Sequence, residues 1–355
     1  MKCLVYHGNK DLRLESASDP VPGPGEVKIR VDYCGICATD IEEYLYGPTF
    51  IAGDTPNPLT GKTLPTITGH EITGTVVESA DDVEDVAGGT RVALNTVLTC
   101  GKCRWCQSGR TMQCPSMAVA GFDRDGGLAE FMVWPASQVV PLPANVTSRQ
   151  AALVEPASVA YHAVNRSGLE RGDSLVVLGA GTVGMLALQI AKARGARVIA
   201  VDRRQMSLYL AAELGADATI NGDETDVGEA LRDLTGGLGP DVVLDAAGGS
   251  ATTASAVEWV RRGGRVVLVA IYVATPEFDF NSLVGAEKEL VGTIAFGRED
   301  VEAVIGLISS GAVRTTPLIS EVISLDEVID VGFARMMAPT KDIFRILVAP
   351  SGEPD

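Results

Sequence analysis

Residues 174–194 read SLVVLGAGTVGMLALQIAKAR, and their pattern decides the fold. Ser174–Leu178 is a short apolar run, suited to a strand buried on both faces. It leads directly into Gly179-Ala180-Gly181-Thr182-Val183-Gly184, and a helical pattern continues from Thr182 to Arg194. A G-x-G-x-x-G between a strand and a helix has a physical use. The first glycine permits a tight turn, the second lets backbone approach a pyrophosphate, and the third lets the helix pack close on the strand. The pyrophosphate then meets the positive end of the helix. The next apolar run, Arg197–Val201, ends at Asp202, eighteen residues beyond Gly184. A carboxylate there accepts hydrogen bonds from ribose hydroxyls and repels a 2′-phosphate, so NAD is expected ahead of NADP. Arg203 and Arg204 follow at once and favour the phosphate, unless they are ordinary solvated charges at a helix start. Glycines alone could serve only helix packing. Strand, helix and strand-end acid together favour dinucleotide binding.

Working outward, further apolar runs lie at Ala218–Ile220, Asp241–Ala246, Arg265–Ala270 and Glu289–Ile294, with a helical pattern at Gln205–Leu214. Six apolar strands with helical patterns between most of them predict an α/β domain, a doubly wound parallel sheet. The chain before about residue 156 reads differently. In Glu26–Tyr33 the apolar Val27, Ile29 and Val31 alternate with Lys28, Arg30 and Asp32, as in a half-buried strand. Further strands are expected at Ile72–Glu78 and Arg91–Leu94, between turns rich in Gly, Pro and Asp. The end of the chain carries a helix-like Leu325–Met336 and a strand-like Ile343–Val348.

A chain of 355 residues predicts two domains, and 46% apolar residues suffice for a sizeable core. A net charge of −17 argues against nucleic acid and anionic membrane as partners. The N-terminal MKCLVYHGNKDL has no apolar core of a targeting signal, so the cytoplasm is expected. Four of the seven cysteines fall within fifteen residues, which suits metal-bound thiolates in a reducing compartment better than disulfides.

Those four are Cys100, Cys103, Cys106 and Cys114, in TCGKCRWCQSGRTMQC. Thiolates so spaced can wrap one tetrahedral zinc ion. An iron–sulfur cluster is the competing reading, but its usual last gap is three residues, not seven, and a second cysteine set is expected. Four protein ligands leave no open position, so this zinc is expected to be structural. A second set is dispersed: Cys37, His70-Glu71 and Glu155. Three ligands of mixed type would leave a position for substrate oxygen, yet spacing alone does not distinguish them from unrelated residues.

Gly69-His70-Glu71-Ile72-Thr73-Gly74, with Ala80 and Val83 beyond it, resembles the zinc-site signature of the medium-chain zinc alcohol dehydrogenases. Cys34-Gly35-Ile36-Cys37, Gly126-Gly127-Leu128-Ala129-Glu130 and Gly248-Gly249 after Asp241–Ala246 extend the resemblance over essentially the whole chain. It implies a Rossmann domain, 154–290, inserted into a GroES-like β catalytic domain formed by 1–153 and 291–355, with the zinc lobe at about 95–116. It also implies two zinc ions per subunit and a homodimer or homotetramer. Tyr44-Leu45-Tyr46-Gly47-Pro48 and Asn57-Pro58-Leu59-Thr60-Gly61 resemble an insertion of the 2,3-butanediol branch. Glu155-Pro156 with Tyr161-His162-Ala163-Val164 resembles the polyol and butanediol branch.

By that resemblance, Cys37, His70 and either Glu155 or Glu71 hold the catalytic zinc, and Thr39 relays the alcohol proton. Glu42 stands where the family often has a histidine, so Glu42 itself or water takes the proton onward. Ser207 stands where the family tends to have an arginine, and Arg203 or Arg204 is expected in its place. The implied activity is hydride transfer between a small secondary alcohol and NAD, with a vicinal diol such as 2,3-butanediol as substrate. A sorbitol-like polyol enzyme is the alternative. A non-catalytic NAD-binding protein is the reading from a different class.

Overall fold

The computed structural model describes residues 1–272, 275, 277–338 and 342–353, with the backbone only of Ser250. The chain divides into two compact units, each described by itself. The first comprises 1–155, 296–309 and 315–355; the second comprises 156–295 and 310–314.

The first unit is built around a long strand, β1 (Glu26–Gly35). It pairs antiparallel with β2 (Glu71–Ser79) and with Phe131–Pro135. Arg345–Ala349 at the end of the chain pairs with its C-terminal end, Leu347 opposite Gly35. Val27, Ile29 and Val31 are fully buried, as the alternation predicts. Asp32 departs from it: the side chain is buried and accepts hydrogen bonds from Ser148 Oγ (2.8 Å), Thr75 Oγ1 (3.1 Å) and Arg30 Nη2 (3.2 Å). Those donors replace the water that a carboxylate would otherwise require. A two-stranded ribbon, Val97–Leu98 with Ala118–Val119, brackets the four-cysteine segment.

The expected C-terminal helix, Leu325–Met336, takes three forms: a 3₁₀ turn at Leu325–Glu327, a π-helix at Val328–Phe333 and an α-turn at Ala334–Met337. Gly332 packs tightly here. A Cβ on it would lie 2.5 Å from Ile36 Cδ1.

The second unit is a six-stranded parallel sheet. Its strands are β3 (Ser174–Leu178), β4 (Arg197–Asp202), β5 (Ala218–Asn221), β6 (Val242–Asp245), β7 (Arg265–Leu268) and β8 (Glu289–Gly292). The spatial order is β5-β4-β3-β6-β7-β8, so the direction of winding reverses between β3 and β6. That is the order of a Rossmann sheet, and ligands bind at such a reversal beyond the strand ends. Three of the expected strands run past the observed ends, at Ala246, Ala270 and Ile294, into segments that leave the ladder. Among the described residues, no helix is long and apolar enough to cross a membrane.

Candidate metal and cofactor sites

Helix α1 (Ala38–Tyr46) starts at Cys37, an extended residue at its N-cap. Asp40 closes a capping box: its Oδ2 accepts the Cys37 N–H at 2.8 Å. The turn fixes the Cys37 thiol, whose Sγ lies 3.6 Å from Thr39 Oγ1. Glu71 opens β2 and His70 directly precedes it, just after Gly69. Gly69 has φ +95°, and a Cβ there would lie 2.7 Å from Cys34 Sγ, so only glycine turns the chain into the strand at this point.

The ligand atoms of Cys37, His70 and Glu71 lie within 4.8 Å of one another. His70 and Glu71 are buried, and His70 Nδ1 faces Asp40 Oδ1 at 3.5 Å. Burial pulls the imidazole pKa down, but Asp40 and Cys37 outweigh it and hold the group well above its ordinary value. Burial pushes the Glu71 carboxyl up, against Arg345 and His70. Glu71 Oε1 is ion-paired with Arg345 at 3.1 Å, whereas Glu71 Oε2 has no hydrogen-bond partner among the described residues, and Asp40 Oδ1 and His70 Nδ1 have only each other, at 3.5 Å. Buried polar atoms left without partners are costly. A thiolate, an imidazole and a carboxylate that converge in this way fit a zinc ion, the borderline cation that takes all three.

Glu155 lies outside that close group. Burial pushes its carboxyl up to about 8, a rise that His70 and Arg345 oppose and Glu71 adds to. Of the two glutamates, the structure thus brings Glu71 to Cys37 and His70 and leaves Glu155 as a close electrostatic neighbour. Thr39 and Glu42 stand one turn apart on α1, and both are half-buried.

Cys100, Cys103, Cys106 and Cys114 also converge within 4.8 Å. The Cys103–Cys106 sulfurs are 3.5 Å apart and the Cys100–Cys106 sulfurs 4.0 Å. Sulfurs about 2.3 Å from one ion at tetrahedral corners are about 3.8 Å apart, so the cage fits zinc. Backbone N–H groups of Lys102 and Cys103 lower the Cys100 thiol to about 6, which prepares a thiolate. Burial raises Cys114 to about 11, a cost that a bound cation would reverse.

In the second unit the glycine turn shows three separate constraints. Gly179 has φ +95°; at Gly181 a Cβ would meet nothing within 4 Å among the described residues; at Gly184 it would lie 2.0 Å from the Gly179 carbonyl oxygen. Thr182 is buried and opens the helix, with half-buried Val183 after it. Asp202 ends β4, with Oδ2 accepting the Ala180 N–H and Oδ1 the Arg204 N–H, both at 2.8 Å. Arg204 Nε also donates to Oδ1 at 3.3 Å; with about two acceptor sites per oxygen, Oδ1 is filled and Oδ2 keeps capacity for a ribose hydroxyl. Arg204 Nε lies 3.3 Å from Asp202, whereas exposed Arg203 turns to Asp223 at 2.5 Å. Ser207 is buried.

Residues 23–144 match the alcohol dehydrogenase GroES-like domain, and residues 182–310 match the zinc-binding dehydrogenase family. The (R,R)-butanediol dehydrogenase of Bacillus subtilis is 34% identical over 99% of this chain and 100% of its own length. The chain belongs to the zinc-containing medium-chain alcohol dehydrogenases. The sorbitol dehydrogenase of Halalkalibacterium halodurans is 32% identical over 92% of this chain and 94% of its own. The crystal structure of 2R,3R-butanediol dehydrogenase from Bacillus subtilis superposes with a TM-score of 0.91, covering 98% of this chain and 99% of that one. This medium-chain dehydrogenase is therefore an oxidoreductase acting on CH–OH groups.

Two residues of this dehydrogenase escaped the sequence reading. Asp40 had a local signal, an acid three residues after the helix-capping Cys37. Arg345 had none, because it reaches the site from the last strand. Its buried Nη1 donates to the Ile36 carbonyl at 2.6 Å and lies 3.1 Å from Glu71 Oε1.

Proposed function

We propose that this dehydrogenase oxidises a small vicinal diol of the 2,3-butanediol type to its hydroxyketone, with NAD as hydride acceptor and two zinc ions per subunit. One observation carries the catalytic half: buried Glu71 and His70 converge with Cys37 beside the Thr39 hydroxyl. Cys37, His70 and Glu71 hold the catalytic zinc, and Glu155 stands by as an alternative carboxylate. Cys100, Cys103, Cys106 and Cys114 hold the other. When bound, zinc supplies Lewis acidity to the alcohol oxygen.

The chain's own groups then do the following. Thr39 Oγ1 accepts the alcohol proton, and Glu42, one turn along the same helix face, passes it to water. Asp40 orients His70 through Nδ1, the outer partner that sets the tautomer of a ligating imidazole. Gly179, Gly181 and Gly184, with Thr182 and Val183 opening the helix, hold the cofactor pyrophosphate. Asp202 takes the ribose hydroxyls and disfavours NADP. Arg204, rather than Arg203, flanks the adenosine end. The nicotinamide, when bound, would supply the hydride acceptor for the carbinol carbon; the proton leaves through Thr39 and Glu42, so electrons and proton balance.

The diol reading draws on the full-length similarity to the butanediol dehydrogenase. A sorbitol-like polyol substrate is the second reading, supported by the relative named for sorbitol. Self-association as a homodimer or homotetramer belongs to the proposal, supported by exposed Phe280, Val284 and Ile294 near the edge strand β8. Seven free cysteines suit a reducing cytoplasm.

An initial-rate panel of 2,3-butanediol, sorbitol, threonine and simple secondary alcohols, each with NAD and NADP, tests the substrate. Butanediol turnover no faster than the rest rejects the diol assignment. Cys37→Ser should abolish turnover while the fold and NAD binding persist. Full activity in that variant rejects the catalytic metal set.

A further inference from the structure

The second unit holds a cleft of about 230 Å³ that neither the glycine turn nor Asp202 uses. Arg232, Arg262, Lys288, Glu258, Trp259 and Leu238 wall it. Its place in the sheet separates it from the cofactor turn. Gly179 follows the carboxyl end of β3, whereas Arg262 precedes β7 and Lys288 precedes β8. The strands run parallel, so the cleft lies at their amino ends, about 15 Å away along strands of this length.

In a chain with 46 acidic and 29 basic residues, this cleft is basic. Arg261 also borders it but is paired with Asp241 at 2.7 Å. Arg232 has no side-chain partner among the described residues. Arg262 donates to the Gly285 carbonyl at 2.7 Å, and Lys288 Nζ to the carbonyls of Val257 (2.6 Å) and Glu258 (3.2 Å). None of these three cations makes a close ion pair with a carboxylate among the described residues, though Lys288 feels Glu258 at longer range. Set against Glu258 alone, they leave the cleft with a formal charge of +2. A phosphate monoester carries about −1.5 to −2 at neutral pH. Guanidinium forks match its oxygens in geometry as well as charge.

One wall is apolar and aromatic. A Cβ placed on Gly228 would lie 3.0 Å from Trp259 Nε1 and 3.5 Å from an Arg232 Nη1, so indole and guanidinium converge over a bare glycine. Gly228 lies in the first turn of a helix, Val227–Leu234. The Trp259 indole N–H donates to no group among the described residues, and Leu238 beside it is 75% exposed.

We infer that this cleft binds a small phosphate monoester with a flat apolar body, its phosphate on Arg232, Arg262 and Lys288 and its body against Trp259 and Leu238. It is a second ligand site of the cofactor-binding unit, separate from the pyrophosphate turn.

The test uses the zinc-loaded enzyme saturated with NAD, so that the pyrophosphate turn is filled. Phenyl phosphate is titrated by calorimetry at fixed ionic strength. One saturable site per chain is expected. Arg232→Glu and Arg262→Gln, on different elements, should each weaken it about tenfold, the scale of one charged hydrogen bond. Both variants should keep the turnover of the unmodified enzyme measured without phenyl phosphate. Inorganic phosphate should bind more weakly, having no body for Trp259. Lack of saturation, or unchanged affinity in whichever variants fold, overturns the site. Equal affinity for phosphate and phenyl phosphate overturns its apolar half.

Discussion

Arg345 Nη1 lies 3.1 Å from Glu71 Oε1, with both side chains buried, so the last strand supplies the counter-charge for a glutamate beside His70. Removing one partner of a buried pair leaves an uncompensated charge. Arg345→Leu should lower stability by about 3 kcal/mol, read by urea denaturation, and should weaken zinc retention. Glu71→Leu with Arg345→Leu should cost less than the two single changes added together, because it strands no charge.

The four-cysteine cage should be structural. Cys103→Ser should reduce bound zinc from two ions to one per chain, measured by atomic absorption. The melting temperature should fall, since metal binding at such sites contributes directly to folding. Protein that remains folded should keep most of its kcat. Complete loss of turnover in folded, one-zinc protein would contradict the structural assignment.

Asp202 accepts two backbone N–H groups at the end of β4, with Arg204 beside it, and is proposed to take the ribose hydroxyls. Asp202→Gly should reduce kcat/KM with NAD by about 10- to 100-fold, the scale of one charged hydrogen bond. NADP should suffer less, because the repelling carboxylate is gone and Arg204 remains. The ratio of the two kcat/KM values measures the switch.

Two carboxylates in the second unit link its stability to pH. Burial tends to raise Asp217, but Lys192 and the Val198 N–H outweigh it and lower its pKa. Asp241 is likewise raised by burial and lowered further by Ser174 and Arg261. A carboxyl with a depressed folded-state pKa stabilises the protein above its unfolded value, about 3.9, and loses that contribution as pH falls through the folded value. Urea midpoints should therefore fall as pH is lowered from 5 to 3. Asp241→Asn should start lower and fall less steeply.

The parallel sheet was legible in the sequence because buried parallel strands are continuous apolar runs, and the glycine turn carries its constraints within six residues. The cysteine cage was legible for the same reason: all four ligands lie on one short loop. Asp32 read as an exposed partner of the alternating strand because its donors, Ser148 and Thr75, are distant in the chain. The other metal set was scattered too, and it became credible through the family resemblance rather than through spacing. Only tertiary structure separated Glu71 from Glu155, and only it brought Arg345 to Glu71. The physical reason is range. Turns, caps and short metal loops are set by neighbours a few bonds away, whereas the partner of a buried charge comes from whichever strand completes the sheet around it.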